Sequence, residues 1–174
     1  MNTKLRRGFT LVELLIVIVV IAILAAISVV AYNGIQTRAN NTAAINELVQ
    51  WQKLFETYRA QEGTLPVLPN GGYCLGTGFP SGPGGPACRD YAGGNVYLES
   101  NSTALMTELQ KVASLPYGPR IAISGTVGPY VNYGSTNIQL TAVIRGGPSD
   151  CPKPTMYSWD DGSGRLLCRI IIQK

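Results

Sequence analysis

The chain has 174 residues, a formal charge of +4 at pH 7, twenty glycines, four cysteines and no histidine. That length suits one small globular domain with an attached segment and leaves no room for two substantial cores. Without histidine the usual base of a Ser-His or Cys-His nucleophile pair is missing, so no catalytic residue is assigned and the chain is not expected to be an enzyme.

The first element in chain order is a basic leader, residues 1–8, carrying Lys4, Arg6 and Arg7. An apolar helix is predicted to begin at once from Phe9. Residues 14–31 form a run of eighteen whose sole polar side chain is Ser28, long enough for a membrane span. The leader's cations hold the amino-terminal end on the cytoplasmic side. Glu13 then falls near the cytoplasmic end of the span. An ionisable group at a span's centre costs roughly 2.5–3.5 kcal/mol and ordinarily has a functional partner. A secretory signal carries its small-residue cleavage site after the apolar run. Here the Gly8-Phe9 junction precedes it, so cutting there leaves the helix on the mature protein. A plain signal anchor with Glu13 snorkelling to the interface explains the helix but not this combination.

The stretch Gly8-Phe9-Thr-Leu-Val-Glu13-Leu-Leu-Ile-Val-Ile resembles the signature of type IV pilins and related pseudopilins, over about 25 of the 174 residues. The resemblance implies that prepilin peptidase cuts between Gly8 and Phe9 and that the new Phe9 amine is N-methylated. It also implies that Glu13 neutralises the Phe9 amine of a neighbouring subunit during assembly. A freed α-amino group titrates near ~7.7–8.0 and is largely cationic at neutral pH. A buried charge is tolerated when paired and strongly disfavoured when not. The short leader and a first mature Phe resemble the type IVa group. Many pilins carry Gly and Pro within this helix where the chain has Ala22 and Val30, whereas Tyr32 matches the family. The helix is therefore expected to start straighter, with Asn33-Gly34 as its weak point.

Removing residues 1–8 deletes three positive charges and lowers the net charge to +1. The basic balance thus belongs to the leader and is poor support for nucleic-acid binding. Residues 9–31 are read as the transmembrane and filament-core helix, and residues 32–62 as its amphipathic continuation. If residues 9–62 form one helix, it is on the order of 80 Å long. The apolar positions from 45 to 58 span an arc of roughly 220°, wider than the stripe of about 100° that a helix needs for its own core. Part of the arc is expected to pack on the chain's own sheet and the remainder on other subunits. Glu56 and Arg59 beside it could make inter-subunit contacts but are read first as a solvated pair.

Residues 63–94 are read as a Gly/Pro-rich αβ-loop. Positions 71–94 hold nine glycines and three prolines, a composition from which no packed core is expected. Gly82-Pro-Gly-Gly85 has neither the lysine nor the strand–helix context of a phosphate loop. Residues 95–174 are read as a short helix capped by Ser102-Thr103 and running to about Ser114, followed by strands at 130–133, 137–144, 155–159 and 165–172. The predicted fold class is α+β: a long amino-terminal helix packed on a small carboxy-terminal antiparallel sheet, as in pilins.

Cys74, Cys88, Cys151 and Cys168 in an exported domain suggest two disulfides, and sequence permits three connectivities. Proximity favours Cys74–Cys88 and Cys151–Cys168, the second placed like the carboxy-terminal disulfide of many pilins. With no histidine and no Cys-x-x-Cys pair, zinc is disfavoured. Asp160-Asp161 reads as a polar turn, since two adjacent carboxylates are too few for calcium. No cofactor or metal is assigned.

The resemblance implies a structural subunit that waits in the bacterial cytoplasmic membrane as a single-pass protein and is then polymerised into an extracellular filament. Its partners would be further pilin subunits, the prepilin peptidase/methyltransferase and the membrane assembly platform. The leading expectation is a major pilin serving adhesion, twitching motility or DNA uptake. The alternatives are a type II secretion pseudopilin, disfavoured by the four cysteines, and a minor pilin acting as a DNA- or surface-binding module. The last would need a basic face, for which Arg145, Lys153, Arg165 and Arg169 offer the one local enrichment.

Overall fold

The computed structural model describes residues 10–82, 84–89, 96–120, 122–123, 126–152, 156–160 and 164–174. Gly8, Phe9, Lys153 and Asp161 lie outside them. The chain divides into two compact units, Met1–Arg38 and Ala39–Lys174.

Helix α1 runs Leu11–Glu62, and its first part makes up the described first unit. This helix is long and apolar enough to cross a membrane by length and composition. Ser28 donates its hydroxyl to the Leu24 carbonyl at 2.7 Å, so the one polar side chain of the apolar run needs no water. Asn33-Gly34 stays helical, and the Asn33 carbonyl accepts from the Thr37 hydroxyl at 3.0 Å.

In the second unit the remainder of α1 is followed by β1 (Gly71–Cys74), β2 (Ser81–Gly82), β3 (Gly85–Arg89) and β4 (Tyr97–Leu98). A 3-10 turn (Glu99–Ser102) leads into α2 (Thr103–Gln110), then β5 (Tyr130–Tyr133) and β6 (Asn137–Arg145). A second 3-10 turn (Pro148–Asp150) precedes β7 (Met156–Asp160) and β8 (Arg165–Gln173). Five strands form an antiparallel sheet in the order β1-β5-β6-β8-β7, and β2-β3-β4 form a smaller one. The long β6–β8 ladder runs from Asn137 opposite Gln173 to Arg145 opposite Arg165.

Strand period and helix period meet in the main core. Leu48, Trp51, Leu54, Phe55 and Tyr58 recur at helical spacing and are buried against Val131, Tyr133, Ile138, Leu140, Ala142, Ile170 and Ile172 of the sheet. Leu105, Met106 and Leu109 of α2 join the same cluster, with Ile45 and Val49 at its margin. Most of the apolar arc of positions 45–58 is thus used within its own domain, while Ile45 and Val49 stay partly exposed. Both the sheet and α2 contribute to the cluster that buries this stripe, which accounts for an apolar surface wider than one sheet needs. Helix α2 is also shorter than expected, ending at Gln110 rather than near Ser114.

The other face of the sheet is covered as well. Tyr130, Val143 and Leu167 project there and pack with Cys74, Phe79, Cys88, Tyr97, Ile123 and Val127. A packed core therefore does arise from the Gly-rich stretch, which the composition argued against. A few apolar anchors suffice because the Cys74–Cys88 bridge fixes the backbone that carries them. Gly72 lets the Tyr97 ring lie directly on the strand, in space that any Cβ would fill. Burial on both faces explains why β6 is nearly continuously buried from Leu140 to Ile144 instead of alternating.

Candidate functional site

Thr10 and Glu13 form a reciprocal cap at the start of α1. The Thr10 backbone N–H and hydroxyl both donate to Glu13 Oε2, at 2.8 and 2.9 Å, and the Glu13 N–H donates to Thr10 Oγ1 at 3.2 Å. This is a capping box, Thr-x-x-Glu, which satisfies two backbone donors that a helix start otherwise leaves open. The spacing was legible in the sequence, yet Glu13 was read there as an assembly charge alone. Its carboxylate also sits over the positive end of the helix dipole.

Beyond the cap, the large apolar side chains of residues 11–29 are about half exposed or more, from 48% at Val19 and Val20 to 88% at Leu11. A contiguous apolar surface of this extent marks a membrane or protein contact. Among the described residues no group of three or more His, Cys, Asp or Glu side chains could hold a metal ion. The chemistry on offer is a carboxylate at the head of an apolar rod.

In the second unit, sequence reading missed a buried ion pair. Arg120 Nη1 lies 3.0 Å from both Glu47 Oε1 and Oε2, with Glu47 1% and Arg120 7% exposed at the side chain. Trp51 Nε1 donates to Glu47 Oε1 at 3.2 Å, and Arg120 also donates to the carbonyls of Gly118 and Thr77. The guanidinium carbon lies 4.6 Å from the Phe79 ring centre. Gly118 is required here, because a Cβ would collide with the Glu47 carboxylate. Burial pushes the Glu47 carboxyl above its ordinary range, and the Arg120 charge only partly opposes this. The available sequence signal was an acid four residues before Trp51 on a stripe that is otherwise buried.

The cysteines join as Cys74–Cys88 and Cys151–Cys168, with Cα separations of 5.5 and 5.6 Å. Glu56 and Arg59 do not form the solvated pair expected of them. Glu56 accepts from Gln52 at 2.8 Å, while Arg59 reaches the Gln173 carbonyl of β8 at 3.0 Å. Ser102 does not cap α2; its side chain is buried and accepts the Cys74 N–H at 2.6 Å. The suggested basic face does not assemble either. Arg145 stands opposite Arg165 in the β6–β8 ladder and is exposed, but Arg165 is 2% exposed and donates to Thr126, Arg169 is only half-buried, and Lys153 lies outside the described residues.

A family profile described as the prokaryotic N-terminal methylation motif matches residues 3–29. The type IV wide pilus major component of Thermus thermophilus is 45% identical over 69 residues, 36% of this chain and 53% of that protein. The chain is thus similar, chiefly in its amino-terminal part, to type IV pilins and type II secretion pseudopilins. Type II secretion system core protein G of Klebsiella michiganensis is 31% identical over 91 residues, 52% of this pilin-like chain and 62% of its own length. Prepilin peptidase-dependent protein D of Escherichia coli is 36% identical over 66 residues, 38% and 45% of the two chains. The chain spans about half the length of the curated relatives it matches. No solved structure matches it.

Proposed function

We propose that this chain is a major type IV pilin, cut by prepilin peptidase between Gly8 and Phe9, N-methylated at Phe9 and polymerised into a surface filament. The observation that carries the reading is the position of Glu13. It stands at the third helical position of an exposed apolar helix, four residues after Phe9, the residue that would become the amino terminus. Capping its own helix occupies Oε2; Oε1 then takes the Phe9 ammonium of a neighbouring subunit. A growing filament removes both charges from water together, which is tolerable only as a pair. Residues 9–31 form the apolar filament core, and the membrane holds the same surface before assembly.

A second reading, a type II secretion pseudopilin, is favoured by the similarity to core protein G, which extends over about half of this chain. Mass spectrometry of filaments sheared from the cell surface separates the two. A dominant species beginning with methylated Phe9 supports the major pilin. A processed chain confined to the membrane, with none in the shear fraction, supports the pseudopilin.

A further inference from the structure

The turn before α2 carries a five-residue pattern, Glu99-Ser-Asn101-Ser-Thr103, whose central asparagine has no part in filament assembly. Asn-x-Thr is the acceptor tripeptide for N-linked glycan transfer. Bacterial transferases of this class also need a carboxylate two residues before the asparagine, the position Glu99 holds. We propose that Asn101 is an N-glycan acceptor. The inference needs only that the second unit be exported, and stands whether or not the chain builds a filament.

The structure supports a glycan at this point. Asn101 and Thr103 are exposed on the turn, while Ser102 between them points inward. A sugar on Asn101 therefore leaves the core intact. Ser100 and Thr103, on either side of it, line an open groove of about 350 Å³ whose other walls include Thr77, Thr107 and Gln110. Met106 and Pro86 also line the groove, so a first sugar ring can lay an apolar face there while its hydroxyls meet the Thr and Gln side chains.

Transfer requires the pentapeptide to be extended. In the folded domain the Thr103 hydroxyl donates to the Ser100 carbonyl at 3.0 Å, and Glu99 accepts the Phe79 N–H at 3.1 Å. Modification accordingly precedes closure of the turn, after export. The donor is a polyprenyl-pyrophosphate-linked oligosaccharide. The Asn101 amide nitrogen bonds to the anomeric carbon, the carbon–oxygen bond to pyrophosphate breaks, and the amide proton leaves to a base of the transferase.

The chain also holds an internal control. Asn40-Asn-Thr42 is an acceptor tripeptide too, but Arg38 stands where the carboxylate should be and the segment lies within α1.

The test is to express the full chain with a single-subunit bacterial oligosaccharyltransferase and a lipid-linked oligosaccharide, then map intact mass and peptides. A co-expressed peptide acceptor reports transferase activity in the same cells. One oligosaccharide is expected on the peptide containing Asn101, and none on Asn40. Asn101→Gln and Thr103→Val should abolish it, Glu99→Gln should lower occupancy more than tenfold, and Thr103→Ser should restore it. The serine variant separates loss of the acceptor from loss of the fold. An unmodified Asn101 beside a modified control peptide, or modification at Asn40 instead, overturns the proposal.

Discussion

Arg120 and Glu47 meet at 3.0 Å in a site almost closed to water, joining α1 to the loop between α2 and β5. Two ions removed from solvent lose more than they regain unless their remaining hydrogen-bonding groups are used. Here Trp51, the Thr77 and Gly118 carbonyls and the Phe79 ring supply most of those partners, while Arg120 Nη2 is buried without a hydrogen bond. The pair pins a segment holding Pro116 and Pro119 that, among the described residues, forms no helix or named strand. It acts as a locating pin for the loop rather than as a source of net stability.

Breaking one half should therefore cost more than removing both. Arg120→Met leaves a buried carboxylate without its counter-charge and is expected to destabilise the chain by about 3–5 kcal/mol at about pH 7. The double replacement Glu47→Met with Arg120→Met is expected to recover most of that loss. Chemical denaturation of the detergent-solubilised chain measures both. Equal losses in the single and double variants would contradict the pairing.

The same carboxylate sets a pH dependence. Burial holds the folded Glu47 pKa above its ordinary 4.5, so the folded state binds that proton more tightly than the unfolded one. The stability this group contributes is fully present below about pH 4.5 and is lost as pH rises through the raised folded value. Comparing unfolding curves of the wild type and Glu47→Gln from pH 3.5 to 7 isolates the effect. The wild type should lose stability relative to the variant as pH climbs through that window, and parallel curves would exclude it.

At the amino terminus, Glu13 has two roles that separate by mutation. Thr10→Ala removes the hydroxyl half of the capping box and keeps the charge; it should cost about 0.5–2 kcal/mol of helix stability and leave filaments abundant. Glu13→Leu should still be processed and inserted, yet filament yield should fall by roughly tenfold or more, the equivalent of ~1.4 kcal/mol or more per pairing. Quantifying sheared filaments against the membrane pool distinguishes them. Equal yields from both variants would remove the electrostatic step.

Processing is tested at Gly8. Gly8→Leu should block leader removal, so that the chain keeps residues 1–8 and their three positive charges. Amino-terminal sequencing reads the outcome directly, and a mature Phe9 terminus would move the cleavage site elsewhere.

The Cys74–Cys88 bridge closes a loop of sequence separation 14 in a region with few apolar anchors. Replacing both cysteines with alanine should cost about 3 kcal/mol by loop entropy and loosen the core around Phe79 and Tyr97. A lowered melting temperature, with faster proteolysis between residues 71 and 98, is the expected result. Unchanged proteolysis would mean that the apolar contacts alone hold the segment.

The amino-terminal helix, the charged head at Glu13 and the strands near 130–133, 137–144 and 165–172 were all legible in the sequence. Their signals are local: an uninterrupted apolar run, a short motif, and apolar residues bounded by turn formers. Tertiary structure alone decided what long-range contact controls. The arc around Trp51 is wider than one sheet needs, and only the fold shows that Leu105, Met106 and Leu109 of α2 share it. The Gly-rich segment looked coreless because composition does not reveal that Cys74, Phe79, Cys88 and Tyr97 converge on the back of the sheet. Glu47 and Arg120 lie 73 positions apart, and neither charge announces its partner. Local periodicity determines which elements form, whereas burial and charge pairing depend on which distant residues the fold brings within a few ångströms.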